Sequence, residues 1–147
     1  MARESMYDFA GGETAFLALA AATHERCLRD PELNHPFSHP DLRPDHVERL
    51  GYYLAEVFGG PSRYTGGHSA MLSIHAGEGI GAEFGERFVQ CFMAGADDAG
   101  LPDDTEFRNA LRAYIEWATA EVIDYSPEGS QVTAGLPMPR WSWDGLQ

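Results

Sequence analysis

Five segments of this chain repeat their apolar residues with the 3.6-residue period of an α-helix, and glycine or proline residues separate them. They cover about 12–29, 41–58, a short piece that ends at 75, 82–98 and 103–125. We expect Asp41 to cap the second helix, with Pro44 in its first turn. Strand-like alternation is scarce, and no internal repeat is visible. The pattern therefore predicts an all-α fold with short connections.

The length of 147 residues is enough for one domain, and the 44% of apolar residues can fill its core. From Ser126 onward the composition changes to Pro, Gly, Ser and Thr without periodicity. We therefore expect a helical domain over 1–126 and a tail over 127–147. Trp141 and Trp143 are too large to be left in solvent, so we expect them to dock on the domain or on a partner.

The charge pattern excludes several kinds of partner. Ten arginines stand against 23 acidic residues, and the chain has no lysine. Such a surface argues against binding nucleic acid or an anionic membrane, because both need clustered positive charge. The uncharged stretch 16–23 is too short to span a bilayer and lacks the features of a secretory signal. Two cysteines, Cys27 and Cys91, are expected to be buried free thiols, which predicts a cytoplasmic protein.

Four of the six histidines occupy informative places. His24 and His46 lie on the inward faces of two apolar helices, His75 ends the third, and His68 precedes it by seven residues. Buried imidazoles need partners for their ring nitrogens, and the inward faces offer no nearby acids. A buried prosthetic group that is bound by imidazole would remove this difficulty.

Other metal and nucleophile sites lack their motifs. A di-iron bundle needs Glu-x-x-His twice, and the single match, Glu32 to His35, sits beside prolines. The HExxH motif of zinc proteases is absent. His35 and His39 are four residues apart, but Pro36 and Pro40 prevent a helical ligand pair. Neither a glycine-rich phosphate loop after a strand nor a serine nucleophile elbow is present. Haem remains, held by one neutral imidazole on its proximal side.

At this point a set of motifs resembles a known family, the group II (O type) truncated haemoglobins, over about 6–127. The motifs are Tyr7-Asp8…Gly11-Gly12, Phe58-Gly59-Gly60-Pro61…Tyr64, His68…Leu72…His75-Ala76, Tyr114-Ile115-Glu116 and Ser126-Pro127. The resemblance implies a two-over-two helical sandwich around haem b that binds oxygen.

The resemblance also implies the roles of individual residues. His75 matches the proximal iron ligand. The side chains expected to contact the cofactor are Phe37, Arg49, Leu50, Tyr53, Tyr64, His68, Met71, Leu72 and Phe88. Arg49 and Tyr64 match positions that hold the haem propionates. An arginine suits this role because the chain has no lysine and a guanidinium binds carboxylates bidentately.

The distal pocket departs from the pattern that the resemblance implies. The family usually has tyrosine where this chain has His24, tryptophan where it has Phe88, and a small residue where it has His46. An aromatic residue that usually follows the proximal histidine is replaced by Glu78. The pocket thus gains two imidazoles, and we treat His24 and His46 as the candidate catalytic residues.

Three uses of these imidazoles stay open at this point. A neutral His24 or His46 would donate a hydrogen bond, worth about 1.5–3 kcal/mol, to bound oxygen or another diatomic ligand, and oxygen transport or a reaction with nitric oxide would follow. The same imidazoles could instead move the proton of a peroxide, as in a peroxidase. Either one could bind iron directly and give a six-coordinate redox protein. A haem-free interaction module that uses its tail is a further alternative. The reductant and any association of identical subunits are left unassigned.

Overall fold

The computed structural model describes residues 3–38, 43–64 and 67–147. Within these ranges seven helices precede one short hairpin. The elements are α1 (Met6–Ala10), α2 (Glu13–Arg29), α3 (Asn34–Phe37), α4 (His46–Val57), α5 (Gly67–His75), α6 (Ala82–Asp98), α7 (Thr105–Asp124), β1 (Trp141–Ser142) and β2 (Gly145–Leu146). The predicted all-α globin-type architecture is confirmed. Within the described ranges, no helix has the length and apolarity to cross a membrane.

Two helix pairs form the body of the molecule. α2 packs against α4 and also against α6, and α6 packs against α7. Glycines allow the backbones to come this close. A Cβ atom on Gly51 of α4 would lie 2.7 Å from Leu17 Cδ2 of α2, and one on Gly95 of α6 would lie 2.7 Å from Thr23 Oγ1. α5 is not one of these closely packed partners.

Aromatic side chains fill the core between the layers. Phe16 of α2 stacks on Phe58 at a centroid distance of 5.5 Å, and Phe58 meets Tyr114 of α7 edge-on at 5.0 Å. Phe92 and Phe107 are likewise fully buried. Their burial contributes to the hydrophobic free energy that holds α2, α6 and α7 together.

Helix boundaries agree with the periodicity for α2, α6 and α7 and differ for α4. The prediction that Asp41 caps this helix falls on a residue outside the described ranges. The helix begins at His46 with Asp45 at its N-cap, and Pro44 lies before it rather than in its first turn. His46 N donates to Arg43 O at 3.1 Å, so a separate turn precedes the helix.

The tail returns to the helical domain. Trp141 is buried, with its ring 5.5 Å from Tyr114 and 5.7 Å from Trp117. Trp143 donates its Nε1–H to the Glu4 carbonyl oxygen at 2.8 Å, and the Arg3 guanidinium lies 3.4 Å above its ring. Both indoles therefore dock on the domain itself, which is one of the two arrangements that the sequence predicted.

The two thiols lie together between α2 and α6. Cys27 and Cys91 are both free and buried, as predicted, and they share a small cluster with Leu33. Burial raises the pKa of both thiols. Protonated, desolvated thiols of this kind serve packing.

Candidate functional site

Three imidazoles from three different helices lie near one another. His24 belongs to α2, His46 is the first residue of α4, and His75 is the last residue of α5. The His24 and His46 rings are 5.6 Å apart between centroids. Burial lowers the pKa of His46, and the neighbouring His24 and His75 lower it further. The helices thus bring together three of the four histidines that the sequence singled out, His68 being the fourth.

Two nitrogens of this group are buried without a partner. His24 Nδ1 and His46 Nε2 have no hydrogen-bond partner within the part of the chain that the structure describes. A buried polar atom that is left unsatisfied costs about 1–3 kcal/mol. Such atoms therefore favour a bound group that can supply the missing contact.

His75 is held in the orientation that a metal ligand requires. Its Nδ1 lies 2.8 Å from the Met71 carbonyl oxygen, so Nδ1–H donates to that oxygen. The proton is thereby fixed on Nδ1, and the Nε2 lone pair is left to act as a ligand. Burial lowers the pKa of His75, while the hydrogen bond to Met71 and the charge of the exposed Glu78 oppose this shift. The ring is therefore neutral near neutral pH.

Aromatic rings and a small cavity adjoin the first two histidines. Phe37 stacks on Phe88 at 5.9 Å, with an angle of 6° between the rings, and lies 6.0 Å from His24. A cavity of about 230 Å³ opens beside them. Its lining consists of His24, Phe37, Ser38, Arg43, Pro44, His46 and Val47. Of these, the sequence had not singled out Ser38, Arg43 or Val47.

One face of α4 carries the remaining predicted contacts. Arg49, Leu50 and Tyr53 follow His46 at spacings of three, four and seven residues, so they point the same way. The Arg49 guanidinium lies 4.8 Å above the Tyr64 ring. Tyr64 in turn meets Tyr53 edge-on at 5.1 Å. Arg49 and Tyr64 are thus neighbours, and the resemblance assigned both of them to the haem propionates.

His68 has both ring nitrogens engaged by protein atoms. The Tyr53 hydroxyl oxygen is 2.8 Å from His68 Nδ1, and Glu121 Oε1 is 2.9 Å from His68 Nε2. His68 is buried on the same helix as Met71, which is half-buried, and Leu72, which is fully buried. The contact of these three side chains with a cofactor stays a prediction, and neither nitrogen of His68 is left for iron.

Sequence reasoning did not identify Glu121. A signal for it was present, because Glu121 follows Tyr114 by seven residues and so shares the inward face of α7. A carboxylate on an otherwise apolar stripe needs a partner, and the buried His68 supplies it.

The residues present fit haem. His75 offers one neutral nitrogen, and two further imidazoles hold nitrogens with no partner among the described residues. Phe37 and Phe88 offer flat apolar surface beside them. Arg49 lies on the same face of α4 as His46, beside Tyr64. Its guanidinium could bind acidic substituents of a bound group. This donor set is that of a haem pocket with one axial imidazole.

Comparison with known proteins agrees with this chemistry. A family model described as bacterial-like globin matches residues 5–119. The group 1 truncated hemoglobin GlbN of Synechocystis sp. is 25% identical over 105 residues. The alignment covers 68% of this chain and 82% of that protein.

Solved structures of bacterial haemoglobins resemble the chain in fold. A thermostable hemoglobin from Thermobifida fusca is 31% identical, with a TM-score of 0.69 over 82% of this chain and 97% of that one. Hemoglobin from Chloroflexus aurantiacus is 25% identical, with a TM-score of 0.70 over 82% and 98%. The group II truncated hemoglobin from Bacillus anthracis reaches a TM-score of 0.72 over 90% and 100% at 19% identity, and this likeness shows the fold alone.

Proposed function

The chain belongs to the bacterial-like globin family, whose members bind haem b, and from that premise we propose that it binds haem through His75 and a diatomic gas on the distal side. The proposal is carried by one observation: His24 Nδ1 and His46 Nε2 are buried and have no partner among the described residues. Two imidazoles that line one cavity and can donate hydrogen bonds are suited to bind a small polar ligand.

His75 is the proposed axial ligand. Haem, when bound, would supply an iron that coordinates an imidazole nitrogen and binds a small gas molecule. The hydrogen bond from Nδ1 to Met71 fixes the tautomer and the ring orientation of His75. Because burial keeps this imidazole neutral, its Nε2 is ready to bind metal without first losing a proton.

His24 and His46 are the proposed distal groups. Burial and the neighbouring imidazoles hold the pKa of His46 low, so its ring is neutral and carries one N–H donor. A hydrogen bond from either ring to a gas ligand that carries partial negative charge contributes about 1.5–3 kcal/mol and slows its release. Phe37 and Phe88, stacked at 5.9 Å, add apolar surface on this side.

Arg49 is the proposed partner of the haem propionates, with Tyr64 beneath its guanidinium. The stacking on Tyr64 limits the freedom of the arginine side chain, and the planar guanidinium can bind a carboxylate through two N–H groups. We further propose that the gas is oxygen and that the protein is cytoplasmic, which the two free buried thiols support.

Membership of group II within the family is also a proposal. The glycine pairs Gly11-Gly12 and Gly59-Gly60, spaced as they are from His75, support it. The Synechocystis relative is of group 1, and the likeness to the group II structure from Bacillus anthracis is one of fold.

Reduction of a hydroperoxide is a second candidate, favoured by the neutral state of His46. A neutral imidazole beside the cavity would accept the proton of the peroxide and return it to the leaving oxygen. His24, 5.6 Å away between ring centroids, would share this task.

Titration of the purified protein with haemin tests the main proposal. We expect a Soret band that saturates at one haem per chain and shifts when carbon monoxide is added to the reduced protein. Absence of saturable haem binding by the folded protein would contradict the proposal and favour a haem-free interaction module.

A further inference from the structure

We propose that Tyr53, His68 and Glu121 form a proton-coupled redox site, in which Tyr53 is oxidised by one electron and passes its proton to His68. This inference rests on the proposed haem binding and on its second candidate reaction, because the oxidant would be haem that has reacted with a hydroperoxide. It adds a second redox-active centre, made of protein side chains, to the haem site.

The three side chains form a line of close polar contacts from the core toward the surface, made of one hydrogen bond and one ion-pair contact. Tyr53 and His68 are each 4% exposed, and the Tyr53 hydroxyl lies 2.8 Å from His68 Nδ1. His68 Nε2 lies 2.9 Å from Glu121 Oε1, and the Glu121 side chain is 26% exposed. Each residue comes from a different helix, α4, α5 and α7. The line thus places a proton acceptor directly on a buried phenol and a carboxylate behind that acceptor.

This arrangement meets the requirement for oxidising a buried phenol. A phenol that loses an electron becomes a strong acid, so in a low-dielectric core its proton must leave at once. The Tyr53 O–H bond breaks, the electron passes to the oxidised haem, and the proton joins the lone pair of His68 Nδ1. The products are a neutral tyrosyl radical and an imidazolium, whose charge the Glu121 carboxylate balances. Return of one electron and of the proton restores the phenol.

Before oxidation the phenol is held in its protonated form. Burial raises the pKa of Tyr53, and the charge of Glu121 together with the nearby Tyr114 and Tyr64 hydroxyls raises it further. Tyr53 therefore cannot lose its proton alone, and the proton moves only when the electron does. The coupling follows from the burial of the pair.

Aromatic rings provide a route for the returning electron. Tyr114 lies beside Tyr53 in the core. The Tyr114 ring is 5.5 Å from Trp141, and Trp141 is 5.7 Å from Trp117. Trp117 is half-buried and reaches the surface. Neighbouring oxidisable rings at these distances let an external donor reduce Tyr53 without entering the haem cleft.

Electron paramagnetic resonance tests this proposal on the haem-loaded protein. The ferric protein is mixed with hydrogen peroxide and frozen within milliseconds, with and without ring-deuterated tyrosine. We expect a tyrosyl signal that narrows on deuteration and is lost in Tyr53→Phe. Tyr52→Phe is the matched control, because Tyr52 is the half-buried neighbour on the same helix, and it should keep the signal.

His68→Gln tests the role of the proton acceptor. Glutamine can still bond to the Tyr53 hydroxyl, but it cannot hold the proton. We expect the radical to form about a hundredfold more slowly, the lower end of what a positioned base contributes. A radical that forms at the wild-type rate in this variant would overturn the role of His68.

The outcomes separate this inference from the proposed function. If haem binds and reacts with peroxide but the signal survives in Tyr53→Phe, or no tyrosyl signal forms, the inference fails and the haem protein stands. If the folded wild-type protein takes up no haem, both fail. A Soret band and helical circular dichroism that match the wild type show that each variant is folded.

Discussion

His75 Nδ1 lies 2.8 Å from the carbonyl oxygen of Met71, one turn earlier in α5. The partner is a backbone atom of the same helix, so the ring orientation is set by the helix and not by a side chain elsewhere. The orientation of the proposed proximal ligand is therefore set within α5, whereas the proposed distal residues come from α2, α3, α4 and α6.

Replacement of a distal imidazole should speed the release of a bound gas. In His24→Leu and in His46→Leu the buried N–H donor is lost and the shape is roughly kept. We expect oxygen release to rise by about 10- to 100-fold in the variant whose ring contacts the ligand, since the lost bond is worth about 1.5–3 kcal/mol. Stopped-flow spectroscopy measures the rate, and Val47→Ala, which alters the same cavity wall without removing a donor, is the control. Unchanged release in both histidine variants would rule out hydrogen bonding from this side.

Gly95→Ala should destabilise the fold. The added Cβ would lie 2.7 Å from Thr23 Oγ1 and 2.9 Å from Thr23 N, where α6 meets α2. Forcing the helices apart costs about 1–3 kcal/mol of unfolding free energy, which urea denaturation measures. Gly81→Ala is the control because its new methyl would meet no described atom within 4 Å, and, since Gly81 is the N-cap of α6, we expect a loss below about 1 kcal/mol. Equal stability of the two variants would show that α2 and α6 are not in close contact.

The pair of Asp30 and Arg87 should make stability depend on acid pH. Arg87 Nη2 lies 2.7 Å from Asp30 Oδ1, and this contact holds the pKa of Asp30 below its ordinary value of 3.8. Because the folded-state pKa lies below the unfolded one, the stabilisation is present above about pH 4 and is lost as the pH falls through the folded-state value. Arg87→Gln should therefore be less stable than the wild type at pH 7, with a difference that shrinks toward pH 3. A difference that grows on acidification would contradict this assignment.

The tail should contribute to stability mainly through Trp141. Its ring is buried against Tyr114 and Trp117, and removing a buried tryptophan costs about 3–5 kcal/mol. Trp141→Ala should lower the unfolding free energy by an amount in this range. Trp143→Ala, at a half-buried indole of the same hairpin, should cost clearly less. If the two variants lose the same small amount, the tail does not dock through Trp141.

Local sequence patterns were enough to predict the long helices. α6 was predicted over its observed range, because its apolar residues repeat over several turns and Gly81 precedes it. α1 and α3 were missed, since five and four residues are too few to show a period. The hairpin that carries Trp141 was missed for a similar reason, as its strands have two residues each.

The sequence predicted which residues belong to the candidate site but not which of them contact one another. Periodicity placed His24 and His46 on inward faces, and the structure brings their rings together. The contact of His68 with Tyr53 and Glu121 joins three helices, so no local pattern could have shown it. The helix start at His46 likewise depends on a turn formed with Arg43, which propensity alone does not specify.

The most direct measurement is the absorption and resonance Raman spectrum of haem-loaded His75→Gly, recorded before and after addition of imidazole. Removing the side chain leaves a cavity beside Met71 that free imidazole can enter. We expect the iron–histidine signature to vanish in the variant and to return with imidazole, whereas wild-type protein with imidazole controls for binding on the distal side. A variant whose haem affinity and spectrum match the wild type without imidazole would contradict the assignment of His75 as the axial ligand.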